Sequence, residues 1–452
     1  MNMFSRCGRI GILLLTVLTL GVCEHRAQVP LGFTALFNGV NLEGWRGGET
    51  HDPRVLASMS PADREAQLAK WNASLVALKN GQPHWRVEGG ELINDGEGGY
   101  ATTVKDYGDF ELMLDWKITA GTDSGIYLRG VPQIQIWDSN MPDPKGHGYA
   151  KGSGGLWNNA KTSPGRDPLV KADRPIGEWN HFRVLMVGSR VSVWLNGVLV
   201  VDHAILENYY DAKQPVEKRR PILARGPIQL QTHGGETRWR NIVLREIDSE
   251  EACRILSTRG RSGFESVFNG RDLEGWAGAK EAVSVRDGGL VWEKGKGGVL
   301  YWNRDLTDFQ ARLLFKLPPA GNNGLAIRYS GTGNAAYDGM CELQILDQDY
   351  EKHRGPIDPR QQHGSVYGMI AAARGYQHPI GEWNFQEVTV TGPRIRVELN
   401  GTVILDGDVS KIDLTQVLQK KAHPGKDNAH GYFGFAGHND PVEFKDILVK
   451  SL

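Results

Sequence analysis

The sequence predicts an all-β protein of two tandem antiparallel sandwiches, the first carrying a helical insertion. Three observations lead there. Motifs recur in the same order in the two halves of the chain. Apolar residues alternate with a period of two through most candidate strands. The 57 glycines and 13 tryptophans among 452 residues suit many short strands joined by tight turns.

The repeat sets the domain organisation. Leu36 to Trp45 (LFNGVNLEGW) returns as Val267 to Trp276 (VFNGRDLEGW), and Pro175 to Asn180 (PIGEWN) returns unchanged as Pro379 to Asn384. Leu195-Asn196-Gly197 matches Leu399-Asn400-Gly401, and Asp109-Phe110 matches Asp308-Phe309. The copies span residues 31–247 and 263–452, and the polar stretch 248–262 reads as a linker. Phe110 to Trp116, Arg190 to Leu195 and Arg394 to Leu399 alternate as half-buried strands do, with Asn-Gly pairs at hairpin tips where positive φ is wanted. The first copy has an insertion after Trp45. There Ser60 reads as an N-cap, Pro61 as the first helical position and Asp63 as a first-turn acid. Leu68, Trp71 and Leu75 follow at helical spacing and Asn80-Gly81 supplies a stop, giving a helix of about four turns that decorates the sandwich.

Residues 1–27 read as a signal peptide. Arg6 and Arg9 precede an apolar run from Ile10 to Val22 that is too short to span a bilayer comfortably. Export, periplasmic or extracellular, is the expectation. Cys23 adds a variant of it, lipid anchoring, although Val22 stands where a lipoprotein signal wants a small residue. Beyond this segment only Cys253 and Cys341 remain, so no disulfide framework supports the fold. A formal net charge of −1 gives no electrostatic basis for binding nucleic acid or an anionic membrane.

Alternation also picks out a polar face. In the first copy Tyr127 and Arg129 share one face, and Gln133, Gln135 and Trp137 share a face of the next strand. Arg328, Glu342 and Gln344 repeat the arrangement in the second copy. Amides, a guanidinium and a carboxylate on neighbouring strands match the vicinal hydroxyls of a carbohydrate, because each makes paired hydrogen bonds. Trp157 follows a glycine-rich run and is placed to stack on a sugar ring. His233 and His438 occupy matching positions and suit proton transfer. His147 and His363 lie in glycine-rich loops that are candidates for covering a site.

Taken together, FNG-x-x-LEGW, the GDFEL strand, SGIYLRG, the strands Gln133 to Asp138 and Glu342 to Asp347, and GEWN resemble the 3-keto-disaccharide hydrolase family. The resemblance runs through nearly the whole chain after the signal segment, twice over. It implies concanavalin-like jelly-roll sandwiches that act on glycosides whose 3-hydroxyl has been oxidised to a ketone. Such a ketone acidifies the C2 proton, so a base removes it, the anomeric oxygen leaves, and water adds to the enone. The position matching the family's glutamate is Gln133 in the first copy, which cannot act as a base, and Glu342 in the second. Asp347 lies an odd number of residues from Glu342, on the opposite face of a regular strand, so the paired carboxylates of ordinary glycosidases are not expected. A divalent metal would stabilise an enolate, but the spacing of Asp123, Asp138 and His147 does not demand one.

These readings give catalytic candidates Glu342, His233 and His438, and substrate-binding candidates Tyr127, Arg129, Gln133, Gln135, Trp157, Arg328 and Gln344. The leading expectation is cleavage of 3-keto-glycosides by elimination and hydration or by net hydrolysis. The alternatives are a tandem lectin-like binding protein, or one catalytic copy joined to one binding copy.

Overall fold

The computed structural model describes Met1 and residues 29–452; the signal segment and Cys23 lie outside the described residues. All strand pairings are antiparallel, and each copy is a sandwich of an eight-stranded and a five-stranded sheet. The five-stranded sheet of the first copy runs Val131–Trp137, Asp123–Leu128, Gln229–Leu230, Tyr100–Thr103, Trp45–Gly48. That of the second runs Cys341–Leu346, Asn322–Tyr329, Tyr432–His438, Gly297–Trp302, Trp276–Gly278. The duplication read in the sequence is therefore a duplication of topology.

Each sandwich has its own core. Ile126, Leu128, Ile134 and Ile136 pack inward in the first, and Leu325, Ile327, Leu343 and Ile345 in the second. Phe435 lies 4.3 Å from Phe444 and 5.7 Å from Trp276, ring centre to ring centre. Such aromatic pairs each add about 0.5–1.5 kcal/mol beyond their buried area.

The most recognisable motifs turn out to be architectural. The indole of Trp45 donates to the carbonyl of Leu36 at 2.7 Å, and that of Trp276 to Val267 at 2.9 Å. Asn38 Oδ1 caps the amides of Val40 and Asn41, as Asn269 Oδ1 does those of Arg271 and Asp272. Asn180 of GEWN accepts from the side chain of Asn196 at the facing hairpin tip, and Asn384 accepts from Asn400, both at 2.8 Å. Asn196 and Asn400 have φ of 52° and 46°, the left-handed geometry such two-residue turns require.

The inserted helix forms over Pro61–Leu75, with Ser60 accepting from the Asp63 amide and Trp71 and Leu75 buried. Its end differs from expectation. The helix stops at Leu75, and Asn80-Gly81 instead turns a small hairpin between Leu78–Lys79 and Gln82–Pro83. The helix lies so close to Trp45–Gly48 that a Cβ on Gly47 would sit 1.9 Å from the Trp71 carbonyl oxygen. The segment between the copies has a structure of its own. Ser249–Thr258 is a helix capped by Asp248, burying Ala252, Cys253 and Leu256. These residues pack with Val187 of the first sandwich and Leu314 and Phe385 of the second. Its charged composition masked a one-sided apolar stripe.

Candidate functional site

The outer face of the second five-stranded sheet carries a cavity of about 260 Å³. Register explains why it is there. Gly324 lies opposite both Gln344 and Ala436, and Ala326 lies opposite Glu342. Glycine and alanine at the sheet centre leave room above it, while Glu342 and Gln344 rise beside that room. A Cβ on Gly324 would fall 2.2 Å from Glu342 Oε1, so the carboxylate rests where only glycine permits.

Glu342 is 4% exposed, yet its Oε1 receives no close hydrogen bond and lies 3.5 Å from His438 Nε2. The imidazole itself is about half exposed. The Glu342 carboxylate beside it raises the His438 pKa above its ordinary value; partial burial opposes the shift, and the charge of Asp440 adds to it. Gln344 donates to Asn322 Oδ1 at 2.6 Å, leaving its own buried carbonyl oxygen without a donor. Tyr337, Tyr350 and Tyr367 close the walls. The Tyr367 hydroxyl oxygen accepts from Gln361 at 3.1 Å, which leaves its proton free for a ligand.

The equivalent face of the first sandwich is built differently. Gln133 stands in the place of Glu342 and donates to Gln135 Oε1 at 2.5 Å. Gln135 donates to Asp123 Oδ1 at 2.6 Å, and Asp123 Oδ2 holds His233 Nδ1 at 3.1 Å. The His233 pKa is raised, chiefly by the hydrogen bond to Asp123. Tyr127, in the place of Ala326, bonds Thr50 of the insertion at 2.7 Å. The inserted segment thus reaches the sheet face.

Glu342, His438 and Gln344 come together at the cavity, and Gln133, Gln135, Tyr127 and His233 share the matching face. Trp157 is packed at the rim of that face, 6.1 Å from Trp137 and bonded through its indole to the His147 carbonyl. Arg129 and Arg328 are corrections. Both adopt positive φ (52° and 44°), which breaks the alternation that placed them on the outer face, and both are buried. Arg129 is bound to the carbonyls of Gly108 and Leu223 and to Asp109. Arg328 is bound to those of Thr307, Gly392 and Asn428 and to Asp308. Each pins a chain reversal and touches no site.

His363 is likewise no part of a covering loop. It is buried against Phe315 at 5.0 Å, accepts from the Leu346 amide, and its pKa is pushed down to about 3 by burial. Asp347 and Asp138 cap backbone amides at turns, so Asp347 does not pair with Glu342. Among the described residues, no three His, Cys, Asp or Glu side chains gather where a metal ion would be held. The tyrosine walls of the cavity and Asp123 as the partner of His233 were not among the expected site residues. Tyr337 and Tyr350 come from the short helices Ala335–Asp338 and Tyr350–Arg354 and Tyr367 from a loop, segments too short to show a periodicity, whereas Asp123, at the head of its strand, was in phase with Tyr127.

The family model for the 3-keto-alpha-glucoside-1,2-lyase-like domain matches residues 32–245 and again residues 263–450. The chain belongs to this family. A 3-keto-disaccharide hydrolase of Bacteroides thetaiotaomicron is 25% identical over 228 residues, covering 42% of this chain and 79% of that protein. Two solved structures of candidate glycosyl hydrolases from Parabacteroides distasonis are similar to one sandwich's worth of the chain. One is 25% identical, covering 42% of this chain and 99% of that one; the other is 21% identical, covering 46% and 98%, each with a TM-score of 0.37. In the terms of this lyase-like family, the chain holds two copies of the domain whose outer faces differ at the glutamate position. Among the described residues, no helix is long and apolar enough to cross a membrane.

Proposed function

We propose that the protein is an exported, carbohydrate-active enzyme that cleaves 3-keto-glycosides, with the second sandwich as its catalytic copy. One observation carries this reading: a buried carboxylate, Glu342, with an oxygen free of donors at the floor of a polar cavity and a histidine 3.5 Å away. Family membership supplies the substrate class, and the N-terminal charge and apolar pattern supplies export.

The chemistry follows from the groups present. Glu342 takes the proton at C2 of the 3-keto sugar, and the electron pair moves into the carbonyl, leaving charge on the ketone oxygen. The Tyr367 hydroxyl, already accepting from Gln361, donates to that oxygen. The pair then returns to form the C1–C2 double bond as the anomeric C–O bond breaks. Protonated His438 gives its proton to the departing oxygen. Water adds at C1 of the enone and a proton returns to C2, so the net change is hydrolysis. A lone base with a separate acid meets this need without two catalytic carboxylates.

The test is release of aglycone from p-nitrophenyl 3-keto-α-glucoside by the purified protein. Wild type is expected to release nitrophenol, with kcat falling by about 100-fold or more in Glu342→Gln, since general base catalysis contributes 10²–10⁴-fold. No release by wild type, or full activity in Glu342→Gln, would overturn the assignment.

A further inference from the structure

We propose that the outer sheet face of the first sandwich is a second sugar site that binds an uncharged glycoside and does not cleave it. The inference rests on the reading of the second sandwich as the cleaving copy. It is carried by four differences between the faces at matching strand positions.

The first is the base. Gln133 replaces Glu342, and the nearest carboxylate, Asp123, has one oxygen bound to Gln135 and the other to His233. No free carboxylate remains to take a C2 proton. The second is a vacant acceptor. Gln231 is 7% exposed and its Oε1 has no donor. It directly follows the strand Gln229–Leu230, and the Gly125 carbonyl accepts its amide at 2.9 Å, where the second sandwich has Ala436. A buried carbonyl oxygen without a donor costs about 1–3 kcal/mol, and a sugar hydroxyl would satisfy it.

The third difference is rigidity. Gln133, Gln135, Asp123 and His233 hold one another in a chain of contacts between 2.5 and 3.1 Å, so little side-chain freedom remains to be lost on binding. The fourth is an aromatic rim. Trp137 shares the face with Gln133 and Gln135 and packs against Tyr149 at 4.9 Å and Trp157 at 6.1 Å, where the second sandwich has Leu346. Half-buried Trp157 offers a surface for the apolar side of a pyranose ring. The charge balance selects a neutral ligand. Asp123 is matched by His233, and Arg166, which lies over Trp157, is matched by Asp167.

Calorimetric titration of the full chain carrying Glu342→Gln with p-nitrophenyl 3-keto-α-glucoside tests the proposal. Two equivalents are expected to bind. Adding Gln231→Leu or Trp157→Ala is expected to weaken one of them at least tenfold, with circular dichroism and Tm confirming a folded chain. The corresponding 3-keto-glucuronide is expected to bind the first sandwich at least tenfold more weakly. A single equivalent, insensitive to both added substitutions, overturns the inference while leaving the cleavage reading in place. Residual aglycone release by Glu342→Gln that disappears with His233→Ala also overturns it, because the first sandwich would then cleave. Two equivalents bound with no release by wild type sinks the cleavage reading and leaves this site standing.

Discussion

Glu342 and Gly324 act as one unit, although their numbers are far apart. The carboxylate occupies the volume a Cβ would take, 2.2 Å from Oε1. Gly324→Ala is therefore expected to displace the flexible end of Glu342 more than it disturbs the strand. Misplacing a reacting group by about 1 Å costs roughly 10²-fold, so kcat should fall by about that factor while Tm changes by only a few degrees. Loss of Tm without loss of kcat would contradict this placement. His438 gives a second check at the same scale. Its pKa is raised by Glu342, so the protonated acid persists above the pH at which an ordinary histidine loses its charge, and kcat/KM should fall only as pH rises through the raised value. NMR titration of His438 should show its pKa dropping toward the ordinary value in Glu342→Gln. Stability follows the same sign: the pair's contribution is complete below the unfolded histidine's pKa and is lost as pH rises through the folded one.

Strands and turns show where sequence reading succeeds and where it stops. Period-two alternation placed Gln133, Gln135, Glu342 and Gln344 on one face because pairing is regular from Ile134 to Trp137 and from Cys341 to Leu346, and the register shift of the first strand falls before Ile134. It misplaced Arg129 and Arg328 because one residue at positive φ resets the phase of everything after it. The register shift between Ala326 and Tyr329 is visible only in the pairing. The Ser249–Thr258 helix was missed because its partners are non-local: the apolar stripe has meaning only with a sandwich on each side. The cavity tyrosines, supplied by two helices of about one turn and a loop, had no periodic signal at all. Correcting the arginines changes what their substitution should do. Arg328→Met would take the buried guanidinium from three backbone carbonyls, while the partly exposed Asp308 keeps the Gly392 amide as its donor, and leaving buried acceptors unsatisfied costs about 1–3 kcal/mol. Urea unfolding should register that loss, and KM of the folded fraction should not move. A raised KM with unchanged stability would return Arg328 to the site.

At the scale of the whole molecule, the two sandwiches are joined by charges buried between them. Glu398 of the second accepts from Arg190 of the first at 2.6 and 2.5 Å and from Arg259, just past the connecting helix, at 2.7 Å. Arg259 also reaches Glu387, which Arg312 holds at 2.5 Å. Next to this network the Ser189 amide donates to the Gly401 carbonyl at 3.1 Å, and a Cβ on Gly188 would sit 2.1 Å from the Asn400 carbonyl oxygen. The hairpin tip that shapes each sandwich therefore also docks the second onto the first. Burial alone would raise the Glu398 pKa, but the Arg190 hydrogen bond and the charges of Arg259 and Arg190 outweigh it and hold the carboxyl below the usual range. With the folded pKa depressed, the stabilisation is complete above the unfolded carboxylate's pKa and is lost as pH falls through the folded value. Glu398→Gln leaves Arg190 and Arg259 without their shared anion and is expected to cost about 3–5 kcal/mol near neutral pH. Scanning calorimetry against pH should show the wild-type advantage over Glu398→Gln shrinking in acid as both proteins come to carry an uncharged side chain at this position. A difference in Tm that stays constant down to strongly acid pH would mean that Glu398 contributes by packing, with no ionic lock between the sandwiches.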